Sequence, residues 1–369
     1  MRPVVALLLF IVATATYAGS NWQWSSKIAV SAAPQEGVFH HLDGSGRKHI
    51  AISKDKVAVV WEDDSGTSPQ IYLATKNLDQ SQFNQAVKLS TGNEAYEPAI
   101  AVLGDSGFVT VYEEDSVVYA RYLSKDGLGM AIRLSTAKAS QAGSASVASH
   151  GSRAYVVWRE KYQHTYRLLV TSIELQGNNL PVVGEISQVE AEALATPVLK
   201  PAIIATAAWV CIAWEDRREG HTRLLYSYST LPHTEFAAPE NLNEFFSARS
   251  EYDKGSGVTR LAMTRFGEDE VLAAWMDKRR GGIGYGIFAA MGSESDQSFG
   301  PNEKAHGDNG DQQPHYNPAV AGNEAGEFIV AWHDFRNGDL DIWLSSYNDD
   351  DEWDSDYSPV VATGPGEQS

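Results

Sequence analysis

The chain repeats itself. Six short apolar runs each end in an aromatic residue followed by a polar or charged pair: VAVVWED at Val57, FVTVYEE at Phe108, AYVVWRE at Ala154, VCIAWED at Val210, VLAAWMD at Val271 and FIVAWHD at Phe328. The aromatics are Trp61, Tyr112, Trp158, Trp214, Trp275 and Trp332, spaced 46 to 61 residues apart. Around each, the same order recurs. An apolar segment comes first, led by proline at Pro98, Pro201 and Pro318, and the aromatic-ended run follows. After a polar turn comes a third apolar segment such as QIYLAT, RLLVTSI or DIWLSSY, then a weaker fourth marked by Phe83, Phe236, Phe299 or Trp353. These runs are short, rich in Val, Ile, Tyr and Trp, and bounded by Gly, Asp and Asn clusters, so they read as strands. No window sustains a helical period. A repeat of this size with four strands per unit predicts an all-β fold, a six-bladed β-propeller of four-stranded antiparallel blades. Five or seven blades are the alternatives if the chain ends pair differently.

The repeated residues have a packing reason. Inner strands lie between neighbouring blades, so both faces are buried and the runs are continuously apolar. The ring at the end of each second strand fills the gap that widens between blades, and burying it is worth a few kcal/mol. One unit cannot bury both faces alone, so the closed ring is the stable object. The expected blades span residues 49–97, 98–144, 145–197, 198–257, 258–317 and 318–361, with a short C-terminal tail.

The ends are read differently. Met1-Arg2, the apolar run from Val4 to Ala13 and Thr16-Tyr17-Ala18 match a cleaved secretory signal over residues 1–18, so a secreted or periplasmic protein is expected. Residues 19–48 then supply a strand and connection that close the ring. NWQWSSKIAVS at Asn21 and EWDSDYSPVVA at Glu352 both qualify as a closing strand, and the choice between them stays open. The one cysteine, Cys211, lies inside AWVCIAW and can form no intramolecular disulfide, so a hydrophobic core must hold the fold. A formal net charge of −19 opposes binding to nucleic acid and to anionic membrane. A soluble monomer without membrane insertion is expected.

Blades four to six share a tighter pattern, Trp-x-Asp-x-Arg-x-Gly: Trp214, Asp216, Arg218, Gly220; Trp275, Asp277, Arg279, Gly281; Trp332, Asp334, Arg336, Gly338. Two readings compete. Asp, Arg and Gly are the residues a tight turn needs. Three guanidiniums from adjacent blades would also clamp a carboxylate or sulfate. Turn chemistry alone explains the spacing, so the structural reading is preferred.

With the Pro-led inner strands and the polar loops before each fourth strand, these hairpins resemble the secreted, sialidase-like propellers of the Asp-box group. The resemblance spans most of Ile50 to Val361. The group's loop signature, Ser-x-Asp-x-Gly-x-x-Trp, is incomplete here: SKDGLGMA at Ser124 lacks the tryptophan, and SDQSFG at Ser295 is more degenerate. The early Arg-Ile-Pro segment of active sialidases is missing. The resemblance therefore implies the fold, and a sugar as the class of ligand, more than it implies hydrolysis.

The loops entering each inner strand carry Tyr96-Glu97, Tyr252-Asp253 and His315-Tyr316. Tyrosines and carboxylates at a propeller mouth stack on and hydrogen-bond sugars, and a Tyr/Glu pair is also a nucleophile with its base. The candidate ligand-binding residues are therefore Arg218, Arg279, Arg336, Glu97, Tyr96, Tyr252, His315 and Tyr316, with no catalytic residue assigned. His150, His164 and His333 are further candidate bases. The ten histidines show no zinc spacing. NDDDEWDSD at Asn348 and HGDNGD at His306 are acidic enough to attract calcium but lack the ligand ladder of a calcium hand, so no cofactor is expected. The expected partner is a glycan or an extracellular protein met through the loop face. A carbohydrate-active enzyme, either a sialidase-like hydrolase or a lyase on an acidic sugar, is the alternative.

Overall fold

The computed structural model describes residues 28–31, 40–41, 46–177, 180–190, 194–231, 235–244, 257–279, 284–307, 313–338, 340–347 and 353. Its secondary structure is entirely β, arranged as six antiparallel sheets in chain order, a six-bladed propeller. The inner strands are Ile50–Ile52 (with His40–His41 on the same edge), Ala95–Leu103, Gln141–His150, Leu199–Ala205, Thr259–Phe266 and His315–Gly322. Second strands are Lys56–Asp63, Gly107–Glu114, Arg153–Tyr162, Trp209–Asp216, Glu270–Asp277 and Phe328–Asp334. Third strands are Gln70–Asn77, Val117–Ser124, Thr165–Gln176, Arg223–Thr230, Gly286–Ser293 and Asp341–Ser345. The fourth is short everywhere, as at Val87–Lys88, Ile132–Arg133, Ser187–Gln188, Glu240–Asn241 and Glu303–Lys304. In blade six the bridge between Tyr347 and Trp353 takes its place among the described residues.

Apolar packing is organised between blades, not within them. Five clusters join blades one and two, two and three, three and four, four and five, and five and six. Each aromatic packs into the interface with the preceding blade: Tyr112, Trp158, Trp214, Trp275 and Trp332 sit at 0–1% exposure in five equivalent settings. Trp61 is also buried and stacks on Tyr72, with ring centroids 6.1 Å apart. Among the described residues no sixth cluster joins blade six to blade one, and Ile50 and Ile52 remain 55% and 61% exposed. Of the two segments that compete for closing strand, only residues 28–31 and 353 are among the described residues.

The inner strands of blades two to six each break register once, near the same end. The ladder shifts between Tyr96 and Ala99, Gly143 and Ser146, Leu199 and Ala202, Thr259 and Ala262, and Tyr316 and Ala319. At each break one residue is left-handed: Glu97, Ser144, Lys200, Arg260 and Asn317, with φ between 48° and 61°. Such a bulge turns the chain and frees a backbone N–H from the ladder. Pro98, Pro201 and Pro318 follow three of these residues directly, where no ladder donor is needed. The prolines therefore mark the bulge, and the inner strands begin ahead of them. In blade one the pairing moves from His41 opposite Glu62 to Ile50 opposite Val59, and the described residues 46–49 lie at that break.

Candidate functional site

The left-handed bulges do one job in several blades. The freed N–H of one blade meets the side chain that follows the aromatic of the blade before it. Glu97 N donates to Glu62 Oε2 (3.3 Å), Arg260 N to Glu215 Oε1 (2.8 Å) and Asn317 N to Met276 Sδ (3.3 Å). Gly143 fits the same scheme, because a Cβ there would fall on the Glu113 carboxylate. The column Glu62, Glu113, Arg159, Glu215, Met276, His333 is thus read at the ring's mouth. Its residue type varies from blade to blade, but in blades one, two, four and five its side chains face the bulge of the next blade. In blades one to three this column lines a pocket.

That pocket has a volume of about 450 Å³ and is walled by His49, Glu62, Tyr96, Glu97, Pro98, Glu113, Gln141, Ser144 and Arg159. Its floor is the stretch 46–49, which crosses the propeller axis. Ser146 Oγ of blade three donates to Gly46 O (2.7 Å), Ile100 N of blade two to Lys48 O (2.8 Å) and Val60 N of blade one to His49 O (2.9 Å). Gly46 has φ 71°, and a Cβ on it would lie 2.9 Å from Pro201 O of blade four, so only glycine fits this crossing. Arg47 is buried below the wall, with Nη1 3.3 Å from Glu97 Oε2 and the charges of Glu62 and Glu113 nearby.

Electrostatics single out Glu113. Burial, then the neighbouring Glu97, push its carboxyl up to about 7, against the pull of Arg159 and Arg47. His49 moves the other way: burial and Arg47 lower it to about 4, so its ring is neutral at physiological pH. A carboxyl that exchanges its proton near neutrality, beside further carboxyl groups and a guanidinium, is equipped to give and take protons as well as to bind hydroxyls.

The residues anticipated from sequence are placed unevenly. Tyr96 and Glu97 line the pocket; the Tyr96 hydroxyl donates to Glu94 (2.9 Å). Tyr252 lies outside the described residues. His315 and Tyr316 belong to blade six. His315 is fully buried, its Nδ1 3.2 Å from Asp334 Oδ2 and its ring 4.1 Å from His306, while Tyr316 packs edge-on against Tyr285. Of the candidate bases, His164 is exposed in a hairpin, His333 lies 3.4 Å from Asn317 Nδ2, and His150 stands at the far end of its strand. The acidic loops considered for calcium fall mostly outside the described residues, and among those described no three ligating side chains are grouped to hold a metal ion.

The three arginines form no common clamp; each is turned back onto its own hairpin. Asp216, Asp277 and Asp334 accept from the backbone and the guanidinium of Arg218, Arg279 and Arg336, at 2.5–2.9 Å. The same carboxylates accept from the indoles of Trp214, Trp275 and Trp332 at 3.0–3.4 Å. Blades two and three explain why the motif is absent there. Glu114 accepts from Thr91 N (2.6 Å), and Glu160 from Thr136 N (2.6 Å), both on the preceding blade's loop. One methylene shorter, Asp216 reaches that loop only through Arg218, whose Nη2 meets Glu190 at 2.6 Å. Asp plus Arg in blade four does the work of one Glu in blades two and three.

Sequence reasoning overlooked Glu62, Glu113, Arg159, Arg47 and His49. The signal was there: a charged column closing otherwise apolar strands, and the basic run GRKH in an acidic chain.

No protein-family model matches the sequence, and no characterised relative matches it either. Solved structures match the shape. The intramolecular trans-sialidase from Ruminococcus gnavus superposes with a TM-score of 0.51 at 10% identity, over 89% of this chain and 98% of that one. A sialidase from Streptococcus pneumoniae gives 0.49 at 8% identity, over 90% and 71%. The α-L-arabinanase of Penicillium chrysogenum gives 0.48 at 11% identity, over 74% and 80%. The class defined by the fold is thus a six-bladed propeller of sialidase-like shape.

Proposed function

We propose that the protein is an exported glycan-binding propeller whose ligand enters the pocket across blades one to three. The observation that carries this reading is the pocket wall. Tyr96, Gln141, Ser144, Arg159 and three glutamates surround a space within the usual ligand-site range of about 300–1,000 Å³. A sugar ring needs this mixture of directed donors and acceptors beside an aromatic face. Three carboxyl groups stand against one arginine in that wall, which favours an uncharged sugar over an acidic one. Structures of similar shape include enzymes named for sialic acid and arabinan, which agrees with a carbohydrate ligand.

Hydrolysis is the second reading, and the raised carboxyl of Glu113 supports it. A group protonated near neutrality is the general acid that glycosidic cleavage requires, with Glu62 or Glu97 as its carboxylate partner. Calorimetry with neutral and acidic oligosaccharides, run beside a reducing-end assay, tests both readings. Saturable binding of a neutral glycan that weakens at least tenfold in Arg159→Ala is expected. Preference for acidic sugars, or binding untouched by Arg159→Ala, contradicts the site. Product release lost in Glu113→Gln with binding retained makes the protein an enzyme.

A further inference from the structure

Beyond the floor of the pocket the axis changes sign. Lys48 is fixed through its carbonyl to Ile100 N, while its side chain keeps contact with solvent among the inner strands and feels the charge of Arg265. Arg265 lies near the end of the blade-five inner strand. Its Nη1 is 3.3 Å from Nδ1 of His150, the last residue of the blade-three inner strand. A guanidinium only donates, so His150 Nδ1 accepts and the ring hydrogen sits on Nε2. Blades one, three and five thus bring basic side chains to one stretch of the channel.

Their company is unusual. Among the described residues no carboxylate forms an ion pair with Lys48, Arg265 or His150, although the whole chain carries −19. Arg265 Nε is buried without a hydrogen-bond partner among those residues. Desolvation by the strands crowded around it, and then the charge of Arg265, lower the Lys48 ammonium to about 8 even though its side chain reaches solvent, with no counteracting carboxylate among the described residues. Lys48 reaches solvent and Arg265 is half-buried, but the shielded Arg265 Nε is a donor of the kind that is ordinarily paired.

We propose that Lys48 and Arg265 form a site for a small oxyanion inside the propeller channel, with His150 orienting the guanidinium. The occupant is a carboxylate, phosphate or sulfate that neutralises the two cations and ties blade one to blade five across the axis. Arg265 supplies a planar donor edge that suits such a group, and Lys48 a point charge. The site is separate from the glycan pocket and does not depend on it.

The test is a titration of the full protein with inorganic phosphate, at ionic strength held constant with chloride, followed by calorimetry and by melting temperature. Saturable binding and a melting temperature raised above the chloride control are expected. Phosphate affinity should fall at least tenfold in Arg265→Met and in Lys48→Met, and recover in part in Arg265→Lys. In phosphate-free buffer Arg265→Met should melt no lower than the parent, because it relieves repulsion. Acetate competing with phosphate marks a carboxylate as the natural occupant; sulfate competing alone marks a tetrahedral anion. Phosphate that stabilises no more than chloride overturns the proposal, as does unchanged affinity in Arg265→Met. Should that variant not fold, the parent and Lys48→Met decide by the same criteria.

Discussion

Glu113 makes stability depend on pH in a way that can be worked out beforehand. Its carboxyl is raised from 4.5 to about 7 by burial and by Glu97. Between those two values the native state binds the proton more tightly than the unfolded chain does. Its contribution is therefore complete below about pH 4.5 and is lost as pH rises through 7. At about 1.36 kcal/mol per pH unit the gap sets a ceiling near ~3.4 kcal/mol, and solvent around a half-buried group reduces it to about 1–2 kcal/mol. Glu113→Gln keeps the shape and removes the titration. Urea unfolding of both proteins at half-unit steps from pH 4 to 8 reads the effect. The variant should gain about 1–2 kcal/mol on the parent across that range. His49, lowered to about 4, drives the opposite slope, adding stability as pH rises toward 6.5, but it is present in both proteins and cancels. Parallel profiles, or a parent that gains on the variant as pH rises, would refute the placement of Glu113 in a desolvated, like-charged wall.

Three further outcomes follow from the geometry. Asp334→Ala removes the buried carboxylate that accepts from the Trp332 indole and the Arg336 guanidinium, so denaturation should show a loss of about 3–5 kcal/mol while glycan affinity at the distant pocket is unchanged. Gly143→Ala places a methyl on the Glu113 carboxylate and should push it into solvent; carbon NMR of the glutamate should report a titration midpoint moved back toward 4.5. Cys211 is wholly buried and its thiol is held well above the usual range, so a thiol reagent should label it only as fast as the protein unfolds. Prompt labelling under native conditions contradicts that.

Much of the fold was legible because it is repetitive. Six aromatics in one grammar predict six blades, and five of the six buried rings lie in the interface with the blade before them, filling the gap between blades as the packing argument required. What the sequence concealed lies where the repeat is broken on purpose. The left-handed residues Glu97, Ser144, Lys200, Arg260 and Asn317 share no residue type that announces the conformation, and the prolines that follow three of them read as strand starts and not as bulges. The pocket wall was hidden for a related reason. Glu62, Glu113 and Arg159 share a column with Met276 and His333, and a column without a common residue looks like surface until the bulges show what it faces. Arg47 and His49 escaped because a connection of uncertain pairing gives no hint that it crosses the axis. The three arginines drew notice because they recur in register, yet that recurrence reflects the reach of aspartate against glutamate.

The segment that seals the axis enters blade one at the position where the other blades spend a single kinked residue. Each spoke of this wheel therefore has a break at the same radius, and among the described residues that of blade one alone has been threaded. A loop grafted at Ser144 or Asn317 would arrive at the hub from a new direction without disturbing the ladder on either side. The architecture is in that sense a socket with interchangeable inserts, whose selectivity is set by what is passed through the rim and not by the blades that carry it.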